Sequence, residues 1–577
     1  MKTEPETGCH IPTMTAAIDI LSIAFLWCAS LIVTNPIGDF PLNDDWVYGL
    51  AVKHMLANGD FSPGCTTATL VTNVLVGSLF SIPTGFSFIA LRVSTLTLSL
   101  LGISATYLLM RELRQPRWLA ALASITLAFT PIYYALSHTF MTDVPYTALT
   151  IMAAVFFVRN LRTGSAFAFF FGTILAVAAT LSRQLAISVP LAFAVAFILK
   201  NGIAKRNILR AAISPVLCIG TLLVFQQWLE ATGRLPAAYV AKNNVFFHSL
   251  TNPGTILVFA KNAYVALLYL GWFLLPVLVF VFGGILGSHR KKTLVLLVLS
   301  TSALVIGSVV AMAAAHSETR FLMPKSRNII LESGIGPLTL TDILLNLNQI
   351  PVLPTSFWIV VTGLSLLGAA LLITAIGLCA INLAPKLWSA KMDDNEAGGA
   401  FLLLSVIIYL FPLLASGFFD RYLVPIIPLL AAGIVSLSLP IPRATTRVCR
   451  CAAVALLLAL TFFAICGTRD YLAWNRLRWE ALRDLTECKH VKVADIDGGY
   501  EFNGWHLYDP QYKGDPKKSR WWVQGDTYRI GFGSMPGYTV IKEYGYFHWM
   551  PPYTGKIVVL KERLLGTQNI RGNEHIE

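Results

Sequence analysis

The chain has 577 residues, of which 55% are hydrophobic and only 13% are charged. Soluble proteins carry about 25% charged residues, so this composition excludes an ordinary globular protein and indicates many membrane-spanning helices. The formal net charge of +13 does not indicate a nucleic-acid partner, because many basic residues stand in short clusters between apolar runs, as in cytoplasmic loops. The nine cysteines have no metal-binding spacing and predict no disulfide framework.

Apolar runs predict thirteen transmembrane helices. The first, near 16–34, lacks a convincing cleavage site, so we expect it to be retained with its start in the cytoplasm. Residues 70–82 are also apolar, but a full crossing there would invert every later basic loop, so we expect a re-entrant or membrane-skimming helix. The other predicted spans are 88–110, 117–136, 144–158, 166–182, 185–199, 208–229, 262–286, 293–314, 356–384, 400–416, 421–439 and 451–467.

Clusters of basic residues stand in six loops, all of which the alternation of spans places in the cytoplasm. An odd number of spans with a cytoplasmic start puts the C-terminal segment outside. The last residues carry no eukaryotic retention signal. We therefore expect a multi-pass protein of the bacterial inner membrane with a periplasmic C-terminal segment.

The composition changes near residue 467, where charged, aromatic and glycine residues replace the apolar runs. The later pattern predicts a helix at 474–485 and strands at 490–496, 527–532, 538–546 and 555–561. We predict a transmembrane domain over 1–467, with a first outer loop at 35–87, and an extracytoplasmic domain over 468–577. The predicted class is an all-α polytopic membrane protein with a small C-terminal α/β domain.

The first outer loop carries Asp44 and Asp45 at the start of a predicted helix that ends near Asn58. Asp44 could simply cap this helix, and Asp143, before Val-Pro, could be a turn former. The topology nevertheless places all three acids on one membrane face, which suits general-base catalysis or a carboxylate cage for a divalent cation. We predict Asp44, Asp45 and Asp143 as catalytic residues, and Asp44 and Asp143 as possible metal ligands.

Three arginines, Arg421, Arg183 and Arg92, are predicted near the same face. Arginine at membrane depth needs a partner or reaches the headgroups, and for Arg92 both a structural and a functional role stay open. A guanidinium can bind phosphate through two parallel hydrogen bonds, so we predict these three as donor-phosphate ligands. Three further residues of the same segments are predicted to contact substrate: Tyr48, His138 and Tyr422.

The predicted site faces the lipid. Its acids could act on an acceptor hydroxyl, its arginines could bind a phosphate, and together these features predict one reaction. A sugar on a membrane lipid phosphate would be transferred to a hydroxyl at the outer face. The alternatives are a transporter or flippase for lipid-linked sugars, which usually has interrupted helices and charges at mid-membrane depth, and a polysaccharide ligase that uses similar donors.

These motifs resemble the protein O-mannosyltransferase-like superfamily of polyprenyl-phosphate-dependent glycosyltransferases, the GT-C fold (glycosyltransferase family 39-like), which includes the lipid A aminoarabinose transferases. The family pattern in the first outer loop is roughly Asp-Glu-x-x-Tyr-Ala, followed by Met-Leu-x-x-Gly-Asp-Trp. The matching segments here are Asp44-Asp45-Trp46-Val47-Tyr48-Gly49, Met55-Leu56-Ala57-Asn58-Gly59-Asp60-Phe61, Thr142-Asp143-Val144-Pro145 and Arg421-Tyr422-Leu423-Val424-Pro425.

The resemblance implies a polyprenyl-phosphate-linked hexose or pentose as donor, and a hydroxyl of a glycolipid, glycan or protein as acceptor. It also implies that Asp44 is the aspartate of the catalytic loop, that Asp143 is a second acid and that Arg421 meets the lipid phosphate. The chain also departs from the family pattern. Asp45 replaces the usual glutamate, and the segment 498–505 matches no family domain.

Overall fold

The computed structural model describes residues 13–252, 254–288, 290–315, 321–389, 392–437, 447–514 and 521–563. Most of them are helical. The helices up to residue 201 are α1 (Thr13–Thr34), α2 (Asp45–Asn58), α3 (Val71–Ser81), α4 (Phe88–Glu112), α5 (Arg117–Ala128), α6 (Pro131–Ser137), α7 (Asp143–Thr163), α8 (Ala166–Ser182) and α9 (Ser188–Asn201). The later helices are α10 (Lys205–Ala231), α11 (Ala237–Thr251), α12 (Thr255–Ser288), α13 (Arg290–Ala315), α14 (Thr341–Leu344), α15 (Thr355–Ser389), α16 (Asp394–Ser416), α17 (Ile426–Leu437), α18 (Arg447–Arg483) and α19 (Tyr500–Leu507).

The described residues contain eleven helices that are long and apolar enough to cross a membrane. The pair α5 and α6, bent by 63°, would be a twelfth span, and α8 is apolar but only 17 residues long. Helix α3 has 11 residues, which is too short to cross about 30 Å of hydrocarbon at about 1.5 Å per residue. The predicted multi-pass helical class is therefore confirmed, and helices lie in every predicted span.

Two predicted boundaries were wrong. The predicted span 117–136 is broken before Pro131, because proline has no backbone N–H and disfavours the helical conformation of the residue before it. The helices predicted at 451–467 and 474–485 are one helix, α18. The change from apolar to polar residues near 467 marks a change of environment, and the intervening residues include no proline that would end the helix.

The chain divides into two compact units. The first comprises Met1–Pro337 and Val352–Leu472, and the second comprises Leu338–Pro351 and Ala473–Glu577. The sequence predicted one boundary, after residue 467, and did not predict that the segment 338–351 belongs to the C-terminal unit.

In the first unit, α7 packs between α4 and α8, α16 packs along α9 and α17, and α12 packs along α15. The contact between α12 and α15 is very close at Gly271 and Gly368. A Cβ added at Gly271 would lie 2.3 Å from the backbone nitrogen of Ala369, and one at Gly368 would lie 2.1 Å from the Gly271 carbonyl oxygen. Small residues of this kind allow two membrane helices to approach backbone to backbone.

The second unit contains a four-stranded sheet in the order β3-β4-β6-β5. Its strands are β3 (Ile496–Asp497), β4 (Tyr528–Gly531), β5 (Tyr538–Trp549) and β6 (Pro552–Glu562). The strands β1 (Ile330–Leu331) and β2 (Gly334–Ile335) form a separate two-stranded pair in the first unit. The strand predicted at 490–496 was wrong, because only its last residue is in a strand and Val493–Asp495 form a 3-10 helix. Helix α19 was not predicted, and its Glu501 forms a fully buried ion pair with Arg478 at 2.8 Å.

Candidate active site

Asp44 lies at the N-terminus of α2 but does not act as its cap, since its side chain makes no capping hydrogen bond. Its Oδ2 instead lies 3.2 Å from Nη1 and 3.3 Å from Nη2 of Arg421. The Asp44 side chain is 24% exposed and that of Arg421 is 8% exposed. An arginine brought to Asp44 across 377 residues of sequence shows that this carboxylate has a tertiary partner that helix capping does not explain.

Asp143 is the first residue of α7, and its Oδ1 accepts a hydrogen bond from Nη1 of Arg183, the residue that follows α8. The Asp143 side chain is buried, with 1% exposed, and 13% of the Arg183 side chain is exposed. The other oxygen of Asp143, Oδ2, is buried and has no hydrogen-bond partner among the described residues. A buried acceptor without a partner is uncommon, and it leaves Asp143 able to bind one more donor.

Tyr422 joins the two ion pairs. The guanidinium carbon of Arg183 lies 4.7 Å from the centre of the Tyr422 ring, and that of Arg421 lies 5.5 Å from it. Both distances are in the range of favourable cation–π contacts. The Tyr409 hydroxyl donates to the Tyr422 carbonyl at 2.8 Å and holds this turn. We call the two acids, the two arginines and Tyr422 the charged cluster.

Tyr48 lies one turn after Asp44 on α2 and is 6% exposed. Burial, and then the neighbouring Asp44 carboxylate, raise the pKa of its hydroxyl well above the usual range, and the charges of Arg421, Arg183 and Asp143 also act on it. The structure therefore brings Tyr48 to the charged cluster.

Asp45 faces away from the arginines of the charged cluster and towards backbone N–H groups. Its Oδ2 accepts from the Leu42 N–H at 3.2 Å and its Oδ1 from the Phe140 N–H at 2.8 Å. Burial raises the pKa of Asp45 to about 8. These bonds join the loop before α2 to the loop before Asp143, so Asp45 holds the two acidic segments together. Its predicted catalytic role stays a prediction.

Arg92 and His138 form hydrogen bonds at the end of α1, in the loop after it and to a neighbouring helix. The Arg92 guanidinium donates to three carbonyl oxygens of the loop after α1, at 2.7–2.9 Å: Pro36, Gly38 and Phe40. His138 lies 2.9 Å from the Thr34 hydroxyl and 2.8 Å from the Tyr134 carbonyl oxygen, and burial lowers its pKa to about 4. Both side chains join α1 and its following loop to neighbouring helices, and their predicted substrate contacts stay predictions.

The sequence interpretation assigned no role to two acids, one adjacent to Arg421 and one within the first-loop motif. Asp420, adjacent to Arg421, is fully buried and accepts backbone N–H groups from Ile329 and Ile330. Asp60 accepts from Arg234 and, at 2.6 Å, from His54, and these partners hold the end of the first-loop motif. Their positions in or beside the motif segments were the only indication in the sequence, and this indication did not identify their hydrogen-bond partners.

The role of Asp44 and Asp143 as ligands of a divalent cation stays a prediction. Asp44 and Asp143 each face a guanidinium. Among the residues that the structure describes, no three His, Cys, Asp or Glu side chains form a group that could hold a metal ion.

Comparison with known families gives one partial match. Residues 70–229 match the family model described as dolichyl-phosphate-mannose-protein mannosyltransferase. The matched region contains Asp143 and Arg183, while Asp44 and Arg421 lie outside it. The match agrees with the resemblance predicted from the motifs. A search of the curated proteins finds no match to this chain.

Solved membrane proteins resemble the chain at low identity. The oligosaccharyltransferase of Archaeoglobus fulgidus in its apo form is 14% identical with a TM-score of 0.42, and the match covers 88% of this chain but only 61% of that chain. ArnT from Cupriavidus metallidurans, both in the apo state and bound to undecaprenyl phosphate, is 12% identical with a TM-score of 0.38, and the match covers 95% of this chain and 98% of that chain.

Proposed function

We propose that the protein is an integral membrane glycosyltransferase that moves a hexosyl or pentosyl group from a polyprenyl-phosphate donor to a hydroxyl of a glycolipid, glycan or protein. The observation that carries this proposal is the ion pair between Asp44 and Arg421, in a cluster that also contains Asp143 and Arg183. The match of residues 70–229 to a dolichyl-phosphate-mannose-protein mannosyltransferase family supports it.

Arg421 is the proposed ligand of the donor phosphate. Its guanidinium is buried, and a desolvated guanidinium binds a phosphate more strongly than one in water. The cation remains charged at every physiological pH. In the transition state it would stabilise the charge that develops on the departing polyprenyl phosphate.

Asp44 is the proposed general base. A phosphate that takes the guanidinium of Arg421 competes with the Asp44 carboxylate for the same N–H groups, so donor binding would release Asp44 to accept a proton. The acceptor oxygen then bonds to the anomeric carbon of the sugar while the bond from that carbon to the phosphate oxygen breaks. The hydroxyl proton passes to Asp44, and the electron pair leaves with the polyprenyl phosphate.

Asp143 and Arg183 are proposed to support this pair. The free oxygen of Asp143 can accept a hydrogen bond from a sugar hydroxyl, and Tyr48 and Tyr422 supply buried aromatic surface beside it. Arg183 stacks on Tyr422 and adds positive charge for the phosphate.

The proposed membrane orientation follows from the basic loops. Six lysine- and arginine-rich loops are predicted on the side opposite the charged cluster, which supports a cytoplasmic N-terminus and an extracytoplasmic cluster and C-terminal unit. We propose the bacterial inner membrane as the location.

The test is the variant Asp44→Asn, which keeps the shape of the side chain and removes its basicity. We expect transfer from a polyprenyl-phosphate sugar to fall by roughly 100-fold or more, the usual contribution of a general base. Asp39→Asn is the matched control, since Asp39 is in the same loop and accepts the Phe88 N–H at 2.7 Å, a bond that the asparagine oxygen can keep. Transfer by Asp44→Asn at the wild-type rate would show that the proposal is wrong.

A further inference from the structure

Asp420 is a carboxylate that the proposed chemistry does not use. It is fully buried and adjacent to Arg421. Its Oδ2 accepts from the Ile329 N–H at 3.0 Å and the Ile330 N–H at 2.8 Å, and its Oδ1 accepts from the Arg421 N–H at 2.8 Å. Burying a carboxylate is costly unless hydrogen bonds replace the lost water, and here backbone donors replace it.

The backbone of Asp420 makes a second connection to the same segment. Its N–H donates to the Ser326 carbonyl at 3.2 Å. The segment is held in turn by the Tyr269 hydroxyl of α12, which accepts the N–H groups of Lys325 and Ser326 at 3.0 and 3.2 Å. The 3-10 helix Asp420–Leu423, which carries Arg421, is thus bound to the segment Ser326–Ile330 and, through that segment, to α12.

We propose that Asp420 is a positioning residue for Arg421, and that its bonds to the segment Ser326–Ile330 determine where the guanidinium lies. The inference rests on the proposed function, in which Arg421 holds the donor phosphate. Both oxygens of Asp420 already accept backbone N–H groups, so the carboxylate is committed to this role and is not available as a base. A displacement of about 1 Å at such a phosphate ligand can lower the rate by roughly 100-fold.

The test is a double-mutant cycle between Asp420→Asn and Arg421→Ala, read as kcat/KM and KM for a polyprenyl-phosphate sugar. Asparagine keeps one acceptor oxygen but turns an amide N–H towards a backbone N–H. We expect Asp420→Asn alone to lower kcat/KM by at least about 10-fold. In the Arg421→Ala background it should lower kcat/KM by less than about 2-fold, because the residue that it positions is already gone. Glu112→Gln is the control. Glu112 is also a buried carboxylate, but it is the last residue of α4 and forms an ion pair with Arg162 at 2.7 Å.

Equal losses in both backgrounds would overturn the inference, because a general structural effect does not depend on Arg421. No loss on Arg421→Ala alone would instead contradict the proposed function. If Asp420→Asn does not fold, Tyr269→Phe replaces it in the cycle. That variant removes the hydroxyl which holds Lys325 and Ser326 and leaves Asp420 intact. A smaller loss, about 3-fold, is expected with Arg421 present and none without it, and equal losses would again overturn the inference.

Discussion

In the first unit, the ion pair of Asp19 near the start of α1 and the two ion pairs of the charged cluster are built differently. Near the start of α1, Asp19 is held by Arg117 through two parallel hydrogen bonds of 2.8 Å and by the Tyr107 hydroxyl. At the other end, beyond the end of α1, Arg421 reaches one oxygen of Asp44, and Arg183 reaches one oxygen of Asp143.

The Asp19 pair and the charged cluster differ in how many of their hydrogen-bond donors and acceptors remain unused. Both oxygens of Asp19 are occupied, so this pair has the geometry of a clamp between α1, α4 and α5. In the charged cluster the second oxygen of Asp143 and the Nε of Arg421 are buried without a hydrogen-bond partner among the described residues. Buried groups with unused capacity are costly in a structural role, and they are the groups that a polar substrate can bind.

The largest expected effect is on activity, from Arg421→Ala. If Arg421 holds the donor phosphate as proposed, removing this buried donor should lower kcat/KM by roughly 100-fold or more. Arg117→Ala, at the clamp, should leave kcat/KM within about 2-fold and lower only the thermal midpoint. Transfer assays and thermal unfolding of the two variants in the same detergent check this. A larger loss of activity in Arg117→Ala would contradict the distinction between the two ends.

Asp143→Asn should affect both stability and activity. It removes the carboxylate that neutralises Arg183, and leaving one member of a buried ion pair without its partner costs about 3 kcal/mol. The double variant Asp143→Asn with Arg183→Gln should recover most of this stability but none of the activity. Recovery of transfer in the double variant would show that the pair is a structural clamp like that of Asp19.

The smallest expected effect is a difference in acylation rate between Lys325 and lysines at the opposite ends of the helices. Burial, and then the charges of Arg327 and Lys261, lower its pKa to about 8. At pH 8 about half of Lys325 is neutral, against roughly 0.4% of an ordinary lysine. Since acylation requires the neutral amine, Lys325 should react faster than two lysines of the opposite end that form ion pairs, Lys200 and Lys386.

The measurement is acetylation followed by peptide mass analysis of the detergent-solubilised protein between pH 6 and 10. Because the folded pKa is lowered, the rate at Lys325 should rise up to about pH 8 and then level off, whereas an ordinary lysine continues to react faster up to its usual pKa. Slower labelling of Lys325 than of Lys386 at pH 8 would contradict the prediction.

Much of the helical architecture could be predicted from local composition. A backbone in hydrocarbon must satisfy its own hydrogen bonds, so a run such as 208–229 or 356–384 has only the helical solution, and both runs lie in helices here. The C-terminal unit was harder to predict, because β3 has only two residues and because the segment 338–351 comes from elsewhere in the chain.

The candidate site divides in the same way. Residue types and membrane topology sufficed to select Asp44, Asp143, Arg183 and Arg421 as members of one face. Only the packing of the helices decided that Asp44 pairs with Arg421 across 377 residues, that Asp45 binds backbone N–H groups, and that Arg92 is used by the loop after α1. Partner choice depends on distances between side chains that are remote in sequence, and local periodicity carries no information about those distances.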